Sequence, residues 1–241
     1  MSGKNKLGLT ILNSRLDEHV PWKISDVIFA YVLVFVVSLI FIGIFLYASL
    51  DMNIGLFTAL LQIAVSLATL GIVYAVVTIK YQIPFKEAFG IYFHKTPYFF
   101  KQGILAAIAI VLCTTLISFI FSHLGEVSKQ NPYTLMPEDK IMAIIFLAIF
   151  IAPIIEEIFF RGFMQPALVK TLGAFPGILI TALIFGVSHS QYLDYNAALV
   201  AVTTIGLILG ITKYYTGSVM PGIFAHLFNN LLAAISLLSI H

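Results

Sequence analysis

The sequence predicts an all-α, polytopic integral membrane protein: a helical bundle with about seven transmembrane helices. Composition, charge spacing and the lack of strand-like alternation predict it. Of 241 residues, 60% are hydrophobic and only 10% are charged, with a mean hydropathy of +1.02. A soluble domain carries roughly a quarter charged residues, so a soluble enzyme and a disordered chain are both excluded. The net charge of +2 gives no field for a polyanion, and no nucleic-acid partner is expected. A single cysteine, Cys113, rules out an intramolecular disulfide, a cysteine zinc site and an iron–sulfur cluster. The apolar runs lack the period-two alternation of a membrane barrel.

The helices follow from gaps between charges, since about 20 apolar residues cross the hydrocarbon layer. Residues 27–50, 52–79, 102–125, 171–193, 195–212 and 214–241 contain no Asp, Glu, Lys or Arg. A further run from Ile141 leads straight into Glu156 and Glu157. The expected helices are therefore 27–50, 54–79, 102–123, 140–164, 175–193, 197–213 and 218–238. The first is too long for a signal-peptide core and is read as an anchor. Residues 80–101 mix Pro84 and five phenylalanines with lysines and read as an interfacial segment. Residues 124–139 read as a polar outer loop. The chain then divides into a cytoplasmic segment 1–25, membrane helices 26–139 and a membrane core 140–241.

Basic residues set the expected orientation. With the N-terminus inside, Lys4, Lys6, Arg15, Lys23, Lys80, Lys86, Lys95, Lys101, Arg161, Lys170 and Lys213 fall on the inner side. Only Lys129 and Lys140 fall outside. This bias predicts a multi-pass protein of the cell membrane with a cytoplasmic N-terminus.

An ionisable group at mid-membrane costs about 2.5–3.5 kcal/mol on insertion scales, so polar residues within spans point to function. They collect in the second half: Glu156, Glu157 and Arg161, then His189, then His226 and Asn230. Residues four apart share a helix face. Glu157 and Arg161 are thus stacked, acid first, which leaves Glu156 to look elsewhere, into a cavity. Phe185–His189 and His226–Asn230 repeat the four-residue step. Packing alternatives stand beside this reading. Glu157–Arg161 can be a buried pair fixing two helices, each histidine an interhelical hydrogen-bonder, and Asn230, with Asn229, helix glue. Gly206 and Gly210 read as a close-packing pair. Neither a Gly-x-Ser-x-Gly turn nor a His-Glu-x-x-His helix occurs in the sequence.

Three strings together resemble a known family. Glu156-Glu157-Ile158-Phe159-Phe160-Arg161 fits Glu-Glu-x-x-x-Arg, Phe185-Gly186-Val187-Ser188-His189 fits Phe-x-x-x-His, and His226-Leu227-Phe228-Asn229-Asn230 fits His-x-x-x-Asn. In this order, over residues 140–238, they resemble the CAAX-protease and bacteriocin-processing (CPBP, formerly ABI) family of intramembrane glutamate-type endopeptidases. The resemblance implies that Glu156 and His189 activate the attacking water. It further implies that His226 and Asn230 stabilise the oxyanion and that Glu157 and Arg161 orient the site. It implies a peptide or membrane-protein substrate within the lipid bilayer, and roles such as bacteriocin maturation, self-immunity or peptide-signal processing. No cofactor is expected, with zinc on Glu156, His189 and His226 as the mechanistic rival. The competing function is a non-proteolytic immunity, scaffold or transport protein built around the same polar cluster. A transporter is expected to repeat its interrupted helices in two halves, whereas these polar residues lie in one.

Overall fold

Apolar runs that cannot satisfy their backbone in lipid except by internal hydrogen bonds fold as helices throughout the computed structural model. It describes residues 20–47, 54–125, 145–189, 192 and 195–239, and among these no strand occurs. Helix α1 is Ile24–Tyr47, and α2 is Ile54–Tyr74, prolonged by a π turn at Ala75–Lys80. The single turn α3 (Phe85–Ala88) precedes α4 (Thr96–His123). Helix α5 occupies 147–172, and α6 (Ala174–Ser188), α7 (Asn196–Thr216) and α8 (Met220–Leu238) complete the bundle.

Among the described residues, five stretches are long and apolar enough to cross a membrane: Ile24–Tyr47, Leu56–Lys80, Phe85–His123, Asn196–Thr216 and Met220–Leu238. Helix α6 has 15 residues, about 22 Å at 1.5 Å per residue, shorter than the roughly 30 Å hydrocarbon core. Some boundaries differ from the expected ones. The segment 80–101 does not stay interfacial to its end, because Pro97 in the first turn starts α4 at Thr96. The fifth expected helix, 175–193, stops at Ser188. The fourth runs past 164 to Leu172. The polar loop beyond Gly125, the N-terminal segment before Val20 and the last two residues lie outside the described residues.

Helix α5 is wound unevenly, and proline explains where. It begins with a π turn, Leu147–Ile151, is α-helical over Ala152–Glu156, opens into a π segment at Glu157–Met164, and closes as α-helix over Gln165–Leu172. Each π stretch ends two residues before a proline, Pro153 or Pro166. A proline ring crowds the carbonyl four residues back and offers no N–H. Widening the preceding turn relieves that crowding.

The packing inverts that of a soluble protein. Large apolar side chains of α1, α2 and α4, among them Phe29, Phe35, Leu67, Leu112 and Phe119, face outward, while Glu157, Arg161, Gln165 and His226 are buried. Helix α4 packs on α7 and α8, α6 on α7 and on the end of α5, and α2 on both α1 and α5. The chain entering α1 is pinned to the core: buried Trp22 donates its indole N–H to the Phe163 carbonyl at 2.8 Å. Asp26 accepts from Lys80 at 2.5 Å and from Tyr81 at 2.7 Å, tying the start of α1 to the end of α2.

Candidate functional site

The site is built where the π segment of α5 meets α6, α7 and α8. Every residue from Glu157 to Met164 is buried, so charges within it must find partners inside the protein. Arg161 Nη1 lies 3.0 Å from Glu157 Oε1, and neither side chain is exposed. The guanidinium also donates through Nη2 to the Gly206 carbonyl of α7 at 3.3 Å. Its plane sits 4.1 Å from the centre of the Phe185 ring, a cation–π contact that a desolvated arginine favours. One turn on, Gln165 repeats the device, donating to the Gly210 carbonyl at 2.9 Å. The two glycines thus accept two buried side chains from α5.

Helix α8 supplies the next partner. Gly222 lies so close to α5 that a Cβ there would run into Glu157 Oε2. One turn later His226, on the same face, stands between the two carboxylates. Its Nδ1 is 3.4 Å from Glu157 Oε1 and its Nε2 is 3.7 Å from Glu156 Oε2. The glutamates differ in access: the Glu156 side chain is 26% exposed, that of Glu157 not at all. Glu156 therefore borders the cavity and Glu157 is sealed beneath it. Two carboxylates against one guanidinium leave one negative charge. Both ring nitrogens of His226 face carboxylate oxygens, so an N–H at either has an acceptor beside it.

His189 sits at the C-cap of α6, where the helix stops. Its Nδ1 lies 2.8 Å from the Phe185 carbonyl. A carbonyl only accepts, so Nδ1 donates to it and Nε2 is the ring nitrogen left for another partner. The Phe185 ring holds the histidines apart, 4.6 Å from the centre of His189 and 5.8 Å from His226. On α8, Asn230 donates from Nδ2 to the Ala148 carbonyl at 2.9 Å.

These groups share a cavity of about 580 Å³. Glu156, His189, His226 and Asn230 line it, together with Phe160, Phe185, Tyr192 and Asn229. Thr58 and Gln62 of α2 also line it. Glu157 and Arg161 stay behind the lining. Of the six residues singled out in the sequence, four thus face one space and two support it.

Residues from the first half of the chain escaped the sequence reading, which looked for charges. Thr58, Gln62 and Ser66 recur every four residues on α2, and that polar step was the available signal. Gln165, four beyond Arg161, carried a similar one.

The donor set bears on the zinc alternative. Glu156 Oε2 and His226 Nε2 are 3.7 Å apart, not far from the roughly 3.3 Å between two ligands of one tetrahedral zinc with bonds of about 2.0–2.1 Å. Among the described residues no third His, Cys, Asp or Glu joins them at ligand spacing.

Residues 138–232 match the family model Type II CAAX prenyl endopeptidase Rce1-like. A protein of Bacillus subtilis (strain 168), named as the uncharacterized protein YpbD, is 30% identical over 128 residues, which is 52% of this chain and 61% of that relative. No solved structure matches the chain. The matched residues include all three motifs.

Proposed function

From the premise that residues 138–232 are similar to the type II CAAX prenyl endopeptidase Rce1-like family, we propose that this multi-pass membrane protein is an intramembrane endopeptidase. It hydrolyses a peptide bond of a peptide or membrane-associated segment, using an activated water and no metal. The observation that carries the reading is the division of labour between adjacent glutamates. Glu157 is sealed against Arg161, while Glu156 borders the cavity beside His226.

Glu156 takes a proton from a water in the cavity as the water oxygen bonds to the scissile carbonyl carbon. The free Nε2 of His189 accepts a hydrogen bond from the same water and shares the proton load. Negative charge grows on the carbonyl oxygen, and the donors facing it are His226 Nε2–H and the second Nδ2–H of Asn230. When the C–N bond breaks, Glu156 returns its proton to the leaving amine. Arg161 pairs with Glu157, and Glu157, facing His226 Nδ1 at 3.4 Å, orients that ring. The Lys/Arg bias supports a cytoplasmic N-terminus in a cell-membrane protein.

The test is cleavage of a set of internally quenched peptides by purified protein in detergent. Glu156→Gln keeps the shape of the side chain but cannot hold the proton, and it is expected to abolish cleavage while the thermal unfolding temperature holds. Full activity in a folded Glu156→Gln variant removes Glu156 as the base. A wild-type protein that cuts nothing, yet retains a membrane partner through purification, favours a scaffold.

A further inference from the structure

Asn229 lies outside the six residues singled out in the sequence, yet it touches Asn230, the one of those six that does not titrate. We infer that Asn229 is a positioning residue that fixes the side-chain amide of Asn230, so that a free N–H rather than a carbonyl oxygen meets the developing oxyanion. The inference rests on the hydrolase reading above and deepens it.

A primary amide presents a donor on one side and an acceptor on the other, and turning it over exchanges them. An oxyanion site tolerates only one of those orientations. Two contacts select it. From α5, the Ala148 carbonyl accepts from Asn230 Nδ2 at 2.9 Å; a carbonyl has no proton to give, so nitrogen must face it. From α8, Asn229 Nδ2 donates to Asn230 Oδ1 at 3.2 Å. The acceptor is thereby engaged by a neighbour on its own helix. Asn230 Nδ2 has two protons, Ala148 takes one, and Asn230 lines the cavity. The remaining N–H is the donor the mechanism uses.

The winding of α5 explains why Ala148 has a carbonyl to spare. In the π turn Leu147–Ile151, the N–H of Ala152 is committed to the Leu147 carbonyl. The next donor in that pattern is residue 153, a proline, which has no N–H. The Ala148 carbonyl thus receives neither, and Asn230 satisfies it. Pro153 and Asn229, on different helices, act on the two ends of one amide.

The experiment is a double-mutant cycle on kcat and KM with the quenched peptides, using Asn229→Ala, the similarly sized Asn229→Leu, Asn230→Ala and the Asn229→Ala/Asn230→Ala pair. Loss of one orienting hydrogen bond is expected to lower kcat by about tenfold with KM unchanged. In the Asn230→Ala background, Asn229→Ala is expected to cost nothing more, because no amide is left to orient. Thermal unfolding of Asn229→Leu within a few degrees of wild type separates this loss from misfolding. Independent, multiplying losses overturn the inference and leave the hydrolase reading intact, as does a rise in KM at constant kcat. A wild-type protein that cuts no member of the peptide set overturns both.

Discussion

Arg161 and Glu157 form an ion pair 3.0 Å long with no exposure on either side chain, and the pair is buried on a stretch of helix wound as π rather than α. Such a pair is expensive to desolvate and costlier still to break, because the surviving charge stays buried.

Arg161→Ala leaves Glu157 facing His226 without its cation and the Gly206 carbonyl without its donor. Destabilisation of about 3–5 kcal/mol follows from removing one partner of a buried pair. The expected result is a fall of many degrees in unfolding temperature together with loss of cleavage. Arg161→Met is expected to be equally damaging for activity, since its volume is close but its charge is absent. An unfolding temperature unchanged in Arg161→Ala would contradict the buried-pair account.

Gly222 sets the distance between α8 and α5. A methyl group there would overlap Glu157 Oε2, so Gly222→Ala must push α8 outward or turn the carboxylate. Either movement lengthens the His226–Glu157 contact of 3.4 Å. Because misplacement by about 1 Å can cost 10²-fold in rate, cleavage is expected to drop about that much, with a smaller change in unfolding temperature. Activity at the wild-type level in Gly222→Ala would mean that the close approach is incidental.

The metal-free proposal makes a separate prediction. Exhaustive dialysis against EDTA and phenanthroline is expected to leave kcat and KM unchanged. Loss of cleavage that stoichiometric zinc restores would instead assign Glu156, His189 and His226 as ligands, and elemental analysis of the purified protein would then find about one zinc per chain.

The bundle was legible in the sequence because charge-free runs in lipid have few alternatives to helix. Pairing by four-residue steps also put Glu157 with Arg161 and left Glu156 to a different environment. The winding of α5 was hidden, although Pro153 and Pro166 stood in plain view as helix breakers. A proline does not announce whether a helix kinks, stops or widens, and here α5 widens, with Phe89 and Val219 packed close against Gly162. His189 read as a residue within a long helix. It caps a short one instead, because its side chain replaces the missing N–H for the Phe185 carbonyl. Thr58 and Gln62 were overlooked for another reason: their four-residue polar step on an apolar helix is uncharged, and it gains meaning only when α2 packs on α5.

That lining from α2 supports the last prediction. Gln62 lines the same cavity as Glu156, and its amide reaches Ser66 Oγ only at 3.5 Å, a long hydrogen bond that a better partner can replace. An extended peptide entering the cavity brings unpaired backbone N–H and carbonyl groups, and inside a membrane those groups need partners. A glutamine offers both a donor and an acceptor to one peptide unit. Contacts to backbone atoms remote from the scissile bond are made in the ground state and the transition state alike, so their loss raises KM without lowering kcat. Gln62→Ala and Gln62→Leu are therefore expected to raise KM about five- to tenfold, the equivalent of about one net hydrogen bond, with kcat near wild type. Gln62→Glu keeps the acceptor and lends a charge, and is expected to bind worse than Gln62→Leu. A fall in kcat at constant KM would move Gln62 from the substrate wall to the chemistry.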